Sequence, residues 1–416
     1  MESIREISEL AWNGGRAEAD RLMAEPGQVF EVVPGVALVT GFGYSIAIAA
    51  GGGLVVVDTS GPGHGAAVVR GLREWSGLPV RRAIYTHGHF DHVGGMFAFD
   101  DDAEAYGHPR PHVIAHENVP TRFERYTKTS GYNAVINARQ FGGRVAAAAG
   151  AARWETWRAP DETYAGTLTF EQGGLQFELR HGKGETDDHT WVWVPSLKLI
   201  CAGDFFIWRT PNAGNPQKAQ RYPEEWAKAL RAMAEMGAEV FVPSHGFPIY
   251  GNERIARALE EAAALLETLV EQTLGLMNRG ARLDEIIHSV KAPPELLARP
   301  YLEPLYDEPE FIVRNVWRMY GGWWDANPAT VKPAPDAEVA AEVARLAGGA
   351  GVLAVRAKEL ADSGDFRLAC HLAEFAGLAA PGDDEVRALR AAVYTARAGS
   401  EQSLMSKGIY RAAAAE

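Results

Sequence analysis

The chain has 416 residues and a mass of 45.1 kDa, more than the roughly 250 to 300 residues at which single hydrophobic cores stop growing. We therefore expect two domains. Apolar residues make up 47% and charged residues 23%, which is typical of globular proteins and excludes a disordered or collagen-like chain. The net charge of −13 opposes binding to nucleic acids and to anionic membrane surfaces, so we expect neither as a partner.

The beginning of the chain contains no targeting signal that we recognise. The segment 1–25 is rich in charged residues, which excludes the apolar core of a secretory signal. The uncharged stretch 36–57 is long enough for a membrane helix, but glycines divide it into short β-branched runs. Cys201 and Cys370 are too few for a disulfide framework. We therefore expect a cytoplasmic protein without a membrane span.

The first half of the chain alternates short β-branched runs with glycine turns, which predicts an α/β fold. Strands are predicted at 30–33, 36–40, 45–49, 54–57, 82–85, 167–170, 175–179, 190–194, 197–202 and 240–242. A helix is predicted at 64–76 from the spacing of Val68, Leu72 and Trp75. Polar loops rich in Asp, His or Gly follow the strands, so a site is expected at the strand ends.

The second half of the chain is predicted to be helical. The segment 254–277 is one long periodic helix, and an Ala-rich helical series follows. Its helices are predicted at 337–347, 352–363, 366–379 and 384–397, and the last three are similar to one tetratricopeptide-type unit. We place the domain boundary near residue 252, between an α/β domain at 1–252 and a helical domain at 253–416.

The segment 86–95 contains the pattern most informative about chemistry. His87, His89, Asp91 and His92 lie within six residues, directly after a predicted strand. Imidazole nitrogens and carboxylate oxygens are the ligands that zinc and similar metals prefer, and a tight loop can direct alternate side chains at two neighbouring ions. The pattern indicates a metal site.

This H-x-H-x-D-H loop resembles the signature of the metallo-β-lactamase superfamily, whose fold is an αββα sandwich. The remaining ligand positions of that superfamily correspond to Glu185, Asp204 and His245. The resemblance implies that His87, His89 and Glu185 bind a first metal, that Asp91, His92 and His245 bind a second, and that Asp204 bridges both. It also implies that Asp58, in the first motif, supports the metal loop without ligating.

Glu185 occupies the slot where most superfamily members have histidine, and this is similar to the alkylsulfatase branch. The segment 311–328, which ends in Trp-Asp-Ala-Asn-Pro, is similar to the dimerization domain of that branch. The resemblance implies two Zn²⁺ per chain and a homodimer formed through the helical domain. Two departures concern the substrate: Asp204 stands where those enzymes have another glutamate, and the chain has no length for their lipid-carrier-like third domain.

The implied charges agree with hydrolytic chemistry. Two divalent ions contribute four positive charges, three carboxylates remove three, and one hydroxide brings the centre close to neutral. A water between two such ions loses its proton near neutral pH, so the expected nucleophile is a metal-bound hydroxide held at Asp91 and Asp204. Asp187, Asp188 and His189 could compete as ligands, but the Gly-x-Thr register favours Glu185.

A sulfate ester requires fixed cationic donors beside the metals. Arg209, Lys218 and Arg221, on the polar loop 207–222, are the candidate substrate contacts. The segment 126–141 could close over the metals, although an ordinary capping helix is favoured. The aromatic residues of 317–324 could line an alkyl tunnel, although core or interface packing is favoured.

The favoured function is a binuclear zinc-dependent sulfuric ester hydrolase that acts on alkyl sulfates. The first alternative is an enzyme of the same fold that hydrolyses another ester: a lactone, a carboxylic ester or a phosphoester. A noncatalytic scaffold is the alternative from a different functional class.

Overall fold

A computed structural model describes residues 3–142 and 156–416. The strand-forming runs build two mixed sheets. The first sheet follows chain order, with β1 (Val29–Val33), β2 (Val36–Val39), β3 (Ser45–Ala50), β4 (Gly53–Val57), β5 (Val80–Ile84), β6 (His112–His116) and β7 (Glu162–Tyr164). The second has β8 (Thr167–Gln172), β9 (Leu175–His181), β10 (Thr190–Val194), β11 (Leu199–Gly203), β12 (Val240–Pro243) and β13 (Ile249–Tyr250), adjacent in that order.

Both sheets combine antiparallel and parallel pairs. Strands β1 to β4 pair antiparallel, whereas β4 to β7 pair parallel. In the second sheet β8 to β11 pair antiparallel, β11 and β12 pair parallel, and β13 returns antiparallel. The uncharged stretch 36–57 forms β2, β3 and β4, which confirms its interpretation as sheet.

Successive side chains of β4 point to opposite faces of the first sheet, and their contacts show how the layers are arranged. Val55 and Val57 belong to the core cluster that also contains Phe177 and Leu179 of the second sheet. Leu54 and Val56 point to the opposite face, in the cluster with the helices at 65–75 and 96–105. Strands buried on both faces are continuously apolar, as β4 is. The expected αββα sandwich is confirmed.

Helices cover the sandwich and then form the second half of the chain. The first half contains α1 (Ile4–Trp12), α2 (Arg16–Leu22), α3 (Gly65–Trp75), α4 (Phe90–Val93), α5 (Met96–Ala105), α6 (Asn118–Lys128), α7 (Ser130–Phe141) and α8 (Pro223–Ala234). The second half contains α9 (Asn252–Asn278), α10 (Leu283–Ser289), α11 (Pro294–Leu297), α12 (Pro309–Gly321), α13 (Pro328–Val331), α14 (Asp336–Ala347), α15 (Ala350–Asp362), α16 (Phe366–Ala379), α17 (Asp384–Ser400) and α18 (Leu404–Ala415). The expected helical second half is confirmed.

The two halves are in extensive contact. Helix α9 packs along α8, and its buried leucines join the core cluster of the sandwich. Helix α18 returns to pack on α7. A Cβ atom at Gly408 would lie 2.5 Å from the Gln140 carbonyl oxygen, so glycine permits this close approach. The boundary near residue 252 stays a prediction.

Among the described residues, no helix has both the length and the apolar character that crossing a bilayer requires.

Candidate metal centre

Four polar loops meet where parallel strands end. Strands β4 and β5 lead into Asp58 and the 86–95 loop, and β11 and β12 lead into Asp204 and His245. The Thr190 N–H donates to the Thr86 carbonyl oxygen at 2.6 Å and so connects the two sheets. The predicted ligands therefore converge because the strands that precede them end at the same edge of the sandwich.

The first candidate ligand group consists of His87, His89, Glu185 and Asp204. His87 Nε2 lies 2.8 Å from His89 Nδ1 and 4.0 Å from Asp204 Oδ2. His89 Nδ1 lies 3.8 Å from Glu185 Oε1. Two ligands about 2.1 Å from one tetrahedral ion lie about 3.4 Å apart, so these four side chains could share one ion with small adjustments.

The second candidate group consists of Asp91, His92 and His245. His245 Nε2 lies 3.3 Å from Asp91 Oδ2, and His92 Nε2 lies 3.7 Å from the same oxygen. Asp204 is close to both groups: Oδ1 lies 3.6 Å from His245 Nε2, whereas Oδ2 lies 3.4 Å from His92 Nε2 and 4.0 Å from His87 Nε2. One Asp204 oxygen could thus serve each ion.

Asp58 holds three of these loops together. Its carboxylate accepts hydrogen bonds from the Thr86 N–H at 2.7 Å, the Thr86 hydroxyl at 2.8 Å and the Ser244 hydroxyl at 2.9 Å. His92 Nδ1 also donates to it, at 2.7 Å. Asp58 is fully buried and has a positive φ of 59°. It contacts the candidate ligand His92 and belongs to neither ligand group, and its supporting role stays a prediction.

These hydrogen bonds set the orientation of two ligand imidazoles. Because His92 Nδ1 donates to Asp58, Nε2 is the nitrogen that faces the centre and could bind an ion there. The Thr86 hydroxyl donates to Asp58 and accepts from His87 Nδ1 at 3.1 Å, so Nε2 is the free nitrogen of the neutral His87 ring. Burial, followed by the charge of His92, lowers the pKa of His87 well below its usual range. Neutral imidazole is the form that binds metals.

Gly203 allows Asp204 to approach the metal loop. Its φ is +57°, and a Cβ atom there would lie 2.6 Å from His189 Nε2 and 2.8 Å from Thr86 Cβ. His189 Nε2 accepts a hydrogen bond from the Asp204 N–H at 3.1 Å. His189 therefore supports the backbone of Asp204, which agrees with leaving it out of the ligand set.

The residues present fit a bound cation. Among the described residues, His92 Nε2 and Asp204 Oδ1 are buried without a hydrogen-bond partner, although both are strong polar groups. Burial alone would raise the pKa of the Asp204 carboxyl, but His92 and His245 hold it well below its usual range. Three carboxylates and four imidazoles that converge in this way form the donor set that zinc-like ions prefer.

Arg221 and Asn212 support Glu185 in a way that sequence reasoning missed. The Arg221 guanidinium donates to Glu185 Oε1 at 2.7 Å and to the Glu185 carbonyl oxygen at 2.6 Å. The Asn212 amide donates to the same carboxylate oxygen at 2.5 Å. Burial raises the pKa of Glu185 to about 7, and the Arg221 charge opposes that shift. Both residues are close enough to orient this carboxylate.

A second buried support holds the loop that contains Gly88. The Asp188 carboxylate accepts from the Gly88 N–H at 2.9 Å and from Arg122 Nε at 2.8 Å. Arg122, on α6, also pairs with Asp187. The density of acidic residues around 187–188 was visible in the sequence, but nothing there pointed to Arg122 as their partner.

Both ligand groups contribute to one cavity of about 510 Å³. All three predicted basic residues, Arg209, Lys218 and Arg221, line it. Lys218 Nζ donates to Asn137 Oδ1 at 2.7 Å. Asn137 and Gln140 show that α7 forms part of the cavity wall, so the preference for an ordinary capping helix at 126–141 was wrong. The helix contributes because the 207–222 loop and α18 pack around it.

The aromatic residues of 317–324 lie elsewhere. Trp317 is buried in the main core cluster, and its indole donates to the Trp324 carbonyl oxygen at 3.0 Å. Tyr320, Trp323 and Trp324 are exposed. None of the four lines the cavity, so they form no alkyl tunnel there.

Comparisons with known proteins agree with this geometry. Residues 38–245 match the metallo-beta-lactamase superfamily, and residues 282–416 match the alkyl sulfatase dimerisation family. A linear primary-alkylsulfatase of Pseudomonas sp. is 28% identical over 341 residues, which cover 78% of this chain and 64% of that protein. An (R)-specific secondary-alkylsulfatase of Pseudomonas sp. is 25% identical over 390 residues, 87% of this chain and 58% of that protein.

The fold also resembles a solved structure. The stereoselective inverting sec-alkylsulfatase from Pseudomonas sp. aligns with a TM-score of 0.82 at 23% identity, covering 93% of this chain and 65% of that one. The chain thus spans less than two thirds of the length of the relatives described. Because the superfamily match extends over half of the chain and includes every predicted ligand, this protein belongs to the metallo-β-lactamase superfamily and contains an alkylsulfatase dimerisation domain.

Proposed function

We propose that this protein is a sulfuric ester hydrolase that acts on alkyl sulfates with two Zn²⁺ per chain. The observation that carries the proposal is that Glu185 is buried within the first ligand group. The curated relatives of this chain are named alkylsulfatases. Glutamate at this position is what the resemblance to the alkylsulfatase branch rests on.

We assign His87, His89 and Glu185 to one ion, Asp91, His92 and His245 to the other, and Asp204 to both. When bound, two such ions supply a water that ionises near neutral pH and polarise the ester. The chain contributes the His92 imidazole oriented by Asp58, and Asp204 oxygens directed at each group. Asp91 and Asp204 line the cavity and so lie beside the reacting ester.

Lys218 is the best-placed contact for the sulfate. Its ammonium group donates to the neutral Asn137 amide, so its charge is not cancelled by a paired carboxylate. Burial lowers its pKa to about 8, and the Arg221 charge adds to this effect. Arg221 is already bound to Glu185, so we assign it to positioning that ligand rather than to clamping the substrate.

An aromatic wall suits the alkyl portion of the substrate. The rings of Phe42 and Phe90 stack with centroids 5.9 Å apart, and Phe141 meets Phe42 edge-on at 6.4 Å. Phe42 also lies 6.1 Å from the His245 ring. All three phenylalanines line the cavity beside Asp91 and His245. An apolar chain bound here would leave water while its sulfate lies at the ligand groups.

We also propose that the chain forms a homodimer through the helical region. Helices α14 and α15 expose Val339, Leu346, Val352 and Val355, and Leu346 is 74% exposed. Exposed apolar clusters mark interaction surfaces, and the dimerisation family match covers both helices. We call these four residues the α14–α15 face and assign a second copy of the chain as its occupant.

A panel of esters tests the proposed reaction. Zinc-loaded protein should release sulfate from dodecyl sulfate, with turnover at least about tenfold above that for a lactone, an aryl carboxylic ester or a phosphodiester of similar size. Ion chromatography of free sulfate and chromatography of the alcohol measure the products. Turnover confined to another ester class would contradict the assignment.

Replacing Glu185 with alanine should remove about one zinc ion per chain, because the first group loses a carboxylate ligand. Elemental analysis after gel filtration measures the stoichiometry. The matched control is Glu171→Ala, at an exposed site on β8, which should keep both ions. Two ions retained by Glu185→Ala would remove Glu185 from the ligand set.

Replacing Asp58 with asparagine should weaken zinc binding by about 10 to 100-fold, because the neutral amide no longer orients His92 and the Thr86 hydroxyl in the same way. Competition with a chelator of known affinity gives the change. Asp101→Asn, at an exposed position, is the control. Unchanged zinc affinity in a folded Asp58→Asn protein would show that Asp58 has no orienting role.

Replacing Leu346 with aspartate should convert a dimer of about 90 kDa, twice the chain mass, into a monomer, since a charge cannot be buried unpaired in an apolar interface. Light scattering coupled to gel filtration measures the mass. Val135→Asp, at an exposed apolar site on α7, should stay dimeric. A Leu346→Asp dimer would place the interface elsewhere.

A further inference from the structure

Two arginines from separate segments line the cavity and are near enough for their charges to interact. Arg16, the first residue of α2, donates from Nη1 to the Trp208 carbonyl oxygen at 3.4 Å, and the next residue is Arg209. Asp20, one turn further along α2, lies 3.8 Å from Arg209 Nη2. Both arginines line the cavity that contains the metal ligands. Helix α2 and the loop after Asp204 therefore bring two positive charges together.

The protein supplies only weak counter-charges to this pair. Arg16 Nη2 lies 3.7 Å from Glu303, and Arg209 Nη2 lies 3.8 Å from Asp20, both longer than a hydrogen bond. Those two carboxylates are 45% exposed, whereas the Arg16 side chain is 15% exposed. Within the described residues, Arg16 Nε is buried without a hydrogen-bond partner. The pair thus retains an unused donor at Arg16 Nε, and its two charges are only loosely compensated.

Backbone strain fixes the position of Arg209. The preceding residue, Trp208, has a φ of +55°, which is unusual for a bulky residue. Its indole donates to the Phe247 carbonyl oxygen at 2.6 Å, and a Cβ atom at Gly246 would lie 2.4 Å from its ring. A strained conformation held by its surroundings indicates that the placement of the neighbouring side chain matters.

The other two basic residues of the 207–222 loop have partners of their own. Arg221 is bound to the Glu185 carboxylate, and Lys218 is bound to Asn137 of α7. The cavity therefore has cationic groups beside the ligand Glu185, at α2, and at Lys407 of α18. An alkyl sulfate with a single anionic end needs only the first.

We infer that the substrate carries a second anionic group, a carboxylate at the far end of its alkyl portion, which Arg16 and Arg209 bind. Two adjacent guanidiniums match a carboxylate because each presents planar paired donors. The inference rests on the proposed function, because it places the sulfate ester of the substrate at the two metal-ligand groups. It narrows the substrate class to alkyl sulfates with a terminal carboxylate.

Binding of unreactive sulfonates tests the inference directly. Calorimetry on zinc-loaded protein at neutral pH compares alkanesulfonates with ω-carboxyalkanesulfonates of equal chain length, over a series of lengths. At the best length, the carboxylated compound should bind at least tenfold tighter. Arg16→Gln and Arg209→Gln should each reduce this preference at least fivefold, while Arg21→Gln, on the exposed side of the same helix, should keep it.

Equal affinities of the two sulfonates at every length in the unaltered protein would overturn the inference, as would a preference that survives in both glutamine variants. Arg16→Lys, which keeps the charge but loses the planar fork, should retain part of the preference and serves if a glutamine variant does not fold. Dodecyl sulfate turnover is measured in parallel. A carboxylate preference without sulfate release would contradict only the proposed function, whereas sulfate release without the preference would contradict only this inference.

Discussion

The candidate site depends on one buried carboxylate that binds no metal in our assignment. Asp58 accepts four hydrogen bonds from the metal loop and from Ser244, residues that follow strands of both sheets. A buried carboxylate is costly unless its oxygens are satisfied, so these loops are stable only when they meet at Asp58. The same contacts fix which nitrogen of His92 faces the centre. The contacts that join the two sheets at this edge therefore also orient a candidate ligand.

Two further buried ion pairs, farther along the chain from the metal loop, also hold the loops of the site in place. Asp188 connects Gly88 of the metal loop to Arg122 of α6, and Arg221 connects Glu185 to the loop that follows Asp204. Each pairs a buried acid with a buried base, so removal of either partner would leave an uncompensated charge. Such pairs favour one arrangement of the loops over others. They hold the candidate ligands at a spacing close to that of a shared ion.

Much of the fold and of the ligand set could be predicted because both depend on local patterns. The β-branched runs of 36–57 and the spacing of His87 to His92 lie within short segments, and the superfamily resemblance ordered the later ligands. The support by Arg122 and the cavity wall formed by α7 could not be predicted. They depend on residues far apart in sequence, and an arginine at 122 looks like any helical surface residue until α6 is placed beside Asp188.

The net charge of −13 makes the distribution of cations around the cavity informative. In an acidic protein the overall field repels anions, so an anionic substrate must be attracted by local charges at short range. Arg221 is neutralised by a ligand carboxylate, whereas Lys218 is bound to an amide, and Arg16 and Arg209 at α2 have carboxylates only at 3.7 and 3.8 Å. A chain selected only to bind one sulfate would gain little from placing two guanidiniums against each other on a strained backbone. Their arrangement is understandable if a second anion lies between them, since it turns a repulsion into two charge-assisted contacts.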